Sequence, residues 1–233
     1  MRKFNHVGFG RGQAVPVLEQ ITNKDGDRVY ATADGQRYPS VTTVLGQVNA
    51  DVIKDWKDRI GHELAKQIAN RAANRGTRFH NLVESYLKND HSPFNGQDLI
   101  TQEFFKTFKP VLDDVDNIHC QETRMFSHYL RLAGTVDCIA EYKGKLSIID
   151  FKTASKQKYE DQIHNYFMQC TAYAIMYEEL TGIPVPQIVI LIAVEDDQPQ
   201  VFIKRRDEWA KDLLHYRNLF ESKTTAIDKM LVA

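Results

Sequence analysis

The segment from Gln187 to Val194 is apolar at nearly every position and shows no alternation between apolar and polar residues. Alternation would leave one face of a strand in water, so its absence asks for cover on both faces. That requirement points to a sheet with helices packed on each side. The neighbouring patterns agree. Glu122 to Tyr129, Leu132 to Tyr142 and Leu146 to Phe151 read as three strands, the last two joined by the turn Lys143-Gly144-Lys145. A helix follows from about Tyr159 to Leu180, with Ile163, Phe167, Cys170, Ala174 and Tyr177 as one stripe, and Thr181-Gly182-Ile183-Pro184 stops it. Val201 to Arg205 makes a further strand, and a C-terminal helix carries Trp209, Leu213, Leu214, Tyr216 and Phe220.

Upstream, residues 14–45 read as short strands. Asn23-Lys24-Asp25-Gly26 and Ala33-Asp34-Gly35-Gln36 are turns, with Arg28 to Ala31 between them. Ser40, after Pro39, is the N-cap of the helix that follows. Ile53, Trp56, Ile60, Leu64 and Ile68 keep the spacing of one amphipathic helix. A second helix is expected from Thr77 to Lys88, a loop from His91 to Gln97, and a third helix from Leu99 to Val115. The expected class is therefore α/β. A mixed central sheet is flanked by helices in the order helix, three strands, helix, strand. Residues 1–74 form a strand-and-helix extension packed on a core of residues 75–233, in one compact unit. Trp56 and Trp209 belong to the core.

Composition sets limits on function. The 233 residues are 42% hydrophobic and 26% charged, an ordinary globular profile. No stretch approaches the roughly 18 uninterrupted apolar residues of a membrane span, and the N-terminus lacks a secretory or transit pattern. The expectation is an intracellular protein that does not enter a membrane. Cys120, Cys138 and Cys170 are far apart and odd in number, so they suggest buried thiols rather than a zinc site or a disulfide framework. A net charge of −1 argues against coating nucleic acid by bulk charge. Local basic clusters remain: Arg71, Arg75 and Arg78; Lys143 and Lys145; Lys152, Lys156 and Lys158; Lys204, Arg205 and Arg206. Each alone reads as solvated surface.

The chemistry lies in Gly134-Thr135-Val136-Asp137 and Asp150-Phe151-Lys152-Thr153. Asp150 and Lys152 share a strand face at the end of an apolar run. Charges there are costly unless paired or bound to metal. The preceding hairpin can bring Asp137 beside Asp150. Two carboxylates and an ammonium suit Mg²⁺ or Mn²⁺ rather than zinc. Such an ion neutralises a phosphodiester and lowers the pKa of a bound water from about 15.7 toward neutrality. A nearby lysine can orient that water or stabilise the developing charge. A lone D-x-K is weak and usually marks a surface ion pair.

Further motifs change that weighting. Gly76-Thr77-Arg78-Phe79-His80 matches a G-T/S-x-x-H helix motif with Glu84 one turn later, and Gln169-Cys170-Thr171-Ala172-Tyr173 matches Q-x-x-x-Y. Together with G-T-V-D and D-F-K, these make residues 75–205 resemble the PD-(D/E)XK nuclease superfamily, in its RecB-like branch. Tyr38 to Leu45 and the tryptophan helix are similar to those of mitochondrial genome-maintenance exonucleases and their phage and bacterial relatives. Val136 stands where the family motif is named for proline. The cysteines do not match the iron–sulfur pattern of some relatives, and helicase motifs are absent, so no ATP-driven step is expected.

The resemblance implies roles. Asp137 and Asp150 bind metal, with the carbonyl of Phe151 as a further ligand. Lys152 serves the attacking water. His80 is a metal ligand or phosphate contact, and Glu122 approaches a second metal. Gln169 and Tyr173 orient the site or contact DNA. Arg75, Arg78, Thr153, Ser155 and Lys156 contact DNA. Glu84 reads as structural. The implied function is a restriction-endonuclease-like core that trims single-stranded DNA ends with Mg²⁺ or Mn²⁺, in replication, repair or recombination. Its relatives imply the cytoplasm of a bacterium or a phage-infected cell. Two alternatives stay open: a structure-selective DNA endonuclease, and a non-catalytic DNA-binding recombination partner.

Overall fold

The run at 187–194 is a strand buried at every position, between two helical layers, in the computed structural model, which describes residues 2–23 and 26–232. In chain order the elements are β1 (Leu18–Thr22), β2 (Arg28–Thr32), β3 (Arg37–Pro39), α1 (Val41–Leu45), α2 (Ala50–Ile60), α3 (His62–Leu87) and α4 (Leu99–Leu112). There follow β4 (Val115–Ser127), β5 (Leu132–Tyr142), β6 (Lys145–Ala154), α5 (His164–Thr181), β7 (Gln187–Val194), β8 (Gln200–Arg205) and α6 (Ala210–Val232). The main sheet runs β4-β5-β6-β7-β8. Within this sheet β6 and β7 pair in parallel and the other neighbours antiparallel, and α5 makes the crossover that a parallel pair needs.

Each face of the sheet has its own apolar layer. Phe167, Cys170, Ala174 and Tyr177 of α5 pack with Val41 and Val44 of α1 and Leu213 of α6 on one side. Phe79, Leu82, Val83 and Tyr86 of α3 pack with Phe105, Phe108 and Leu112 of α4 on the other. This two-sided cover is the reason β7 tolerates no polar interruption. It also means that any charge at the end of a central strand must be compensated from the adjoining helices.

The N-terminal region packs onto this frame. β1, β2 and β3 form a small antiparallel sheet, and Tyr30 and Tyr38 bury against Ala133 of β5. Ser40 caps α1 by accepting the Thr43 N–H at 2.9 Å. Before β1, Phe4 and Phe9 are buried. His6 bridges Ile118 where β4 shifts register between Asp116 and Cys120. The leading segment thus covers part of an edge strand that would otherwise expose its hydrogen-bonding groups.

Several expectations need correction. The stripe Ile53–Ile68 does not form one helix. Gly61, at φ 88°, separates α2 from α3, and Ile53, Leu64 and Ile68 remain 44%, 50% and 45% exposed. Helical spacing records an apolar face but not whether another element arrives to cover it. Trp56 is accordingly half-exposed, beside an open hollow of about 400 Å³ shared with Val52, Ile53, Asp55 and Arg59. Trp209 does join the core, stacked 5.0 Å from Phe167. The helix expected at 77–88 is the second half of the 26-residue α3, so a division at 74/75 falls inside one helix. β4 begins at Val115 rather than Glu122, because Val115 and Ile118 supply buried strand positions before the register shift. The turn expected at 23–26 includes Lys24 and Asp25, which lie outside the described residues.

Candidate active site

The site is built where two strands part. β5 and β6 pair from Tyr142↔Lys145 to Cys138↔Ile149, and the ladder ends there. Asp137 and Asp150 are the next residues on the two strands. β6 does not end with this ladder, since it stays paired to β7 as far as Ala154. The Phe151 N–H, left without a partner on β5, donates to Asp137 Oδ2 at 2.9 Å. A carboxylate thus fills the gap left by the interrupted ladder. In a strand the N–H and C=O of one residue face the same neighbour, which turns the Phe151 carbonyl toward this fork as well.

One side of the fork faces α3. His80 Nδ1 lies 3.8 Å from Glu122 Oε1 and 3.8 Å from Asp137 Oδ2. One ligand atom from each of His80, Glu122 and Asp137 can be chosen so that all lie within 4.8 Å of one another. Burial lowers the His80 pKa, but Glu122 and Asp137 outweigh it, and the net direction is upward. Glu122 holds its place at some cost, because its backbone is left-handed, at φ 46°, inside a strand. Such a conformation costs a non-glycine residue about 1–3 kcal/mol and persists where the surrounding structure holds it.

The other side faces α5. Asp150 is 2% exposed. Gln169 Nε2 donates to its Oδ1 at 3.0 Å. Its Oδ2 has no hydrogen-bond donor aligned on it, and the Lys152 ammonium lies against it as an ion pair. Burial raises the Asp150 pKa to about 6 against the opposing pull of Lys152. Burial pulls Lys152 down, but Asp150 and Asp137 win and its pKa is raised. Asp150, expected beside Asp137 as a ligand, lies outside the His80–Glu122–Asp137 group, because a buried carboxylate takes the nearest cation and here that is Lys152. The donor set nevertheless fits a hard divalent cation: it is oxygen-rich with one imidazole, and the buried Asp150 carboxylate stands beside it.

The two remaining motifs interlock. Tyr173 is 3% exposed, and a Cβ on Gly134 would stand 2.7 Å from its hydroxyl oxygen. The glycine of G-T-V-D therefore makes room for the tyrosine of Q-x-x-x-Y. Of the two expected parts for Tyr173, orienting the site or contacting DNA, a ring enclosed between α5 and β5 suits the first rather than the second. Arg75 donates to Thr153 Oγ1 at 3.3 Å and pairs with Glu195, tying α3 to the ends of β6 and β7. Arg78 is exposed and pairs with Asp98 at 3.2 Å. Ser155 and Lys156 are exposed just beyond β6. Glu84 pairs with Lys88, in keeping with a structural part. Two neighbours escaped the sequence reading. Glu195 follows β7 with no motif to mark it. Tyr166 sets its ring against Lys152 from one helical turn before Gln169, and only its spacing from Gln169 could have drawn notice.

A family model described as the PD-(D/E)XK nuclease superfamily matches residues 97–230. Mitochondrial genome maintenance exonuclease 1 of Mus musculus is 28% identical over 174 residues, covering 69% of this chain and 51% of its own length. The Xenopus tropicalis protein of the same name is 31% identical over 173 residues, covering 69% and 50%. The chain spans about half the length of the curated relatives it matches. A solved structure of a candidate exonuclease from Eubacterium rectale aligns at a TM-score of 0.47 and 14% identity over 65% of each chain.

Proposed function

The chain belongs to the PD-(D/E)XK nuclease superfamily, and from that premise we propose that it is a metal-dependent exonuclease that trims single-stranded DNA ends in replication, repair or recombination. The observation that carries the reading is the fork itself, with Asp137, Asp150, Lys152, His80, Glu122 and Gln169 gathered at the end of one interrupted ladder. His80, Glu122, Asp137, Asp150 and the Phe151 carbonyl would hold Mg²⁺ or Mn²⁺. A cation there supplies charge neutralisation at the phosphoryl oxygens and a bound water of lowered pKa.

The chain's own groups do the rest. Gln169 fixes the rotamer of Asp150, so the carboxylate keeps its aim. Lys152 stands at the mouth of the fork, where its ammonium can orient water or stabilise charge on the transferring phosphoryl group. Arg75 and Thr153, tied together beside it, with Arg78, Ser155 and Lys156 around them, offer donors to the strand backbone. The preference for free ends follows from the upstream resemblance and from relatives that are named exonucleases.

The test compares end-labelled linear with covalently closed circular single-stranded DNA, in Mg²⁺, Mn²⁺ or EDTA, using Lys152→Ala as control. The expected outcome is metal-dependent loss of the linear strand, sparing of the circle, and no loss with Lys152→Ala. Rapid cutting of the circle would replace the exonuclease by an endonuclease at the same site. Tight binding without cutting in either metal would replace the enzyme by a binding protein.

A further inference from the structure

On the nuclease reading, we propose that Tyr166 is the positioning residue for Lys152, its ring face fixing the ammonium at the mouth of the fork by a cation–π contact. The Lys152 Nζ lies 5.0 Å from the centroid of the Tyr166 ring, inside the range of about 6 Å at which a ring quadrupole attracts a cation. The contact answers a particular problem. A lysine carries a point charge on a flexible four-carbon stem, so a strand position alone does not fix its end. Asp150 holds the ammonium, but Asp150 is also a proposed metal ligand. A carboxylate shared with a metal has less charge to spend on the lysine. A neutral ring has no such rival and keeps its hold whether or not Asp150 is engaged.

The placement on α5 supports this division of labour. Tyr166 and Gln169 are three residues apart, on one face of the helix. Gln169 takes Asp150 and Tyr166 takes Lys152, so a single rigid helix sets both charged groups that β6 brings to the fork. Tyr166 is half-buried at the edge of the apolar layer, which raises the strength of a cation–π contact above that of a solvated pair.

The decisive comparison is Tyr166→Phe against Tyr166→Leu. Phe keeps the ring, whereas Leu keeps an apolar contact without the quadrupole. We expect Tyr166→Phe to retain the turnover of the unsubstituted protein. Tyr166→Leu should lower turnover about five- to thirty-fold, with KM and strand affinity in EDTA unchanged. A role in packing alone would instead lower the thermal midpoint without the split between turnover and KM. A second measurement does not depend on cutting. In the NMR spectrum of the metal-free protein, the Lys152 side-chain methylene protons should be shifted upfield by the ring current, in both the unsubstituted and Tyr166→Phe proteins. Full turnover in Tyr166→Leu, equal losses in Phe and Leu, or ordinary Lys152 shifts would each overturn the proposal. If the unsubstituted protein cuts no strand in either metal, the nuclease reading itself fails, which separates the two outcomes.

Discussion

At the scale of single residues, the site depends on two positions where the local choice looks wrong until its neighbour is considered. Glu122 is a glutamate in a left-handed conformation that asparagine or glycine adopts more cheaply. From that conformation its carboxylate reaches the His80–Asp137 group. Glu122→Asn should therefore raise the thermal midpoint of the metal-free protein, by about 1 kcal/mol or more of stability, while reducing metal-supported cleavage. Calorimetry and a cleavage assay on one preparation would check this, and a lower midpoint would contradict the account of strain. Gly134 is the reverse case, a glycine at which no turn is needed. A methyl there would meet the Tyr173 hydroxyl at 2.7 Å and its ring at 3.0 Å. Gly134→Ala should cost about 1–3 kcal/mol through overpacking. Adding Tyr173→Leu should recover part of that loss. Additive losses in the double variant would show that the two residues do not share the space.

At the scale of elements, the fork arises from the way β4, β5 and β6 are held. β6 keeps its parallel ladder to β7 while leaving β5, which exposes one strand's donors to a carboxylate. β4 is pinned further along by a buried polar contact. His119 Nδ1 and the Tyr177 hydroxyl of α5 lie 2.6 Å apart, and that hydroxyl also accepts the Gly10 N–H at 3.1 Å. The hydroxyl keeps its own proton to donate, and a neutral imidazole with a bare Nδ1 can accept it. Burial lowers the His119 pKa, Arg11 lowers it further, and Glu141 opposes them. The folded value thus lies below the unfolded value of about 6.5. The unfolded chain binds the proton more readily, so this contribution is fully present above that value and is lost as pH falls toward the folded value. The thermal midpoint should drop between about pH 7.5 and pH 5, and His119→Gln should show a smaller drop from a lower starting point. An equal drop in both proteins would exclude His119 as a source of the acid sensitivity.

At the scale of the whole molecule, the leading segment acts as part of the core rather than as a tail. Phe4 packs edge-on to Tyr86 on one face of the sheet, and Phe9 packs edge-on to Tyr177 on the other. Between them, Val7 N–H donates to the Ile118 carbonyl and Ile118 N–H donates to the Asn5 carbonyl. Removing residues 1–12 should cost roughly 3 kcal/mol or more, since each buried phenylalanine contributes about 1.5–3 kcal/mol. A thermal midpoint unchanged by that deletion would refute the assignment. Much of this architecture was legible beforehand. The unbroken apolar run at 187–194 demanded cover on two faces, and the motifs at Gly76–His80, Asp137, Asp150–Lys152 and Gln169 came together at one fork. Those features are local, and a period of two or of three to four residues, or a charge after an apolar run, is written in neighbouring letters. Other features depended on distant partners. The exposure of α2, the enclosure of Tyr173, the pairing of Arg75 with Glu195 and the turn of Asp150 toward Lys152 are of this kind. So is the left-handed backbone of Glu122. A chain specifies which faces are apolar and which residues can carry charge through short-range pattern. Where a ladder breaks, and which buried charge finds which partner, is decided by register and packing between segments far apart in sequence, where desolvation makes every unpaired group costly.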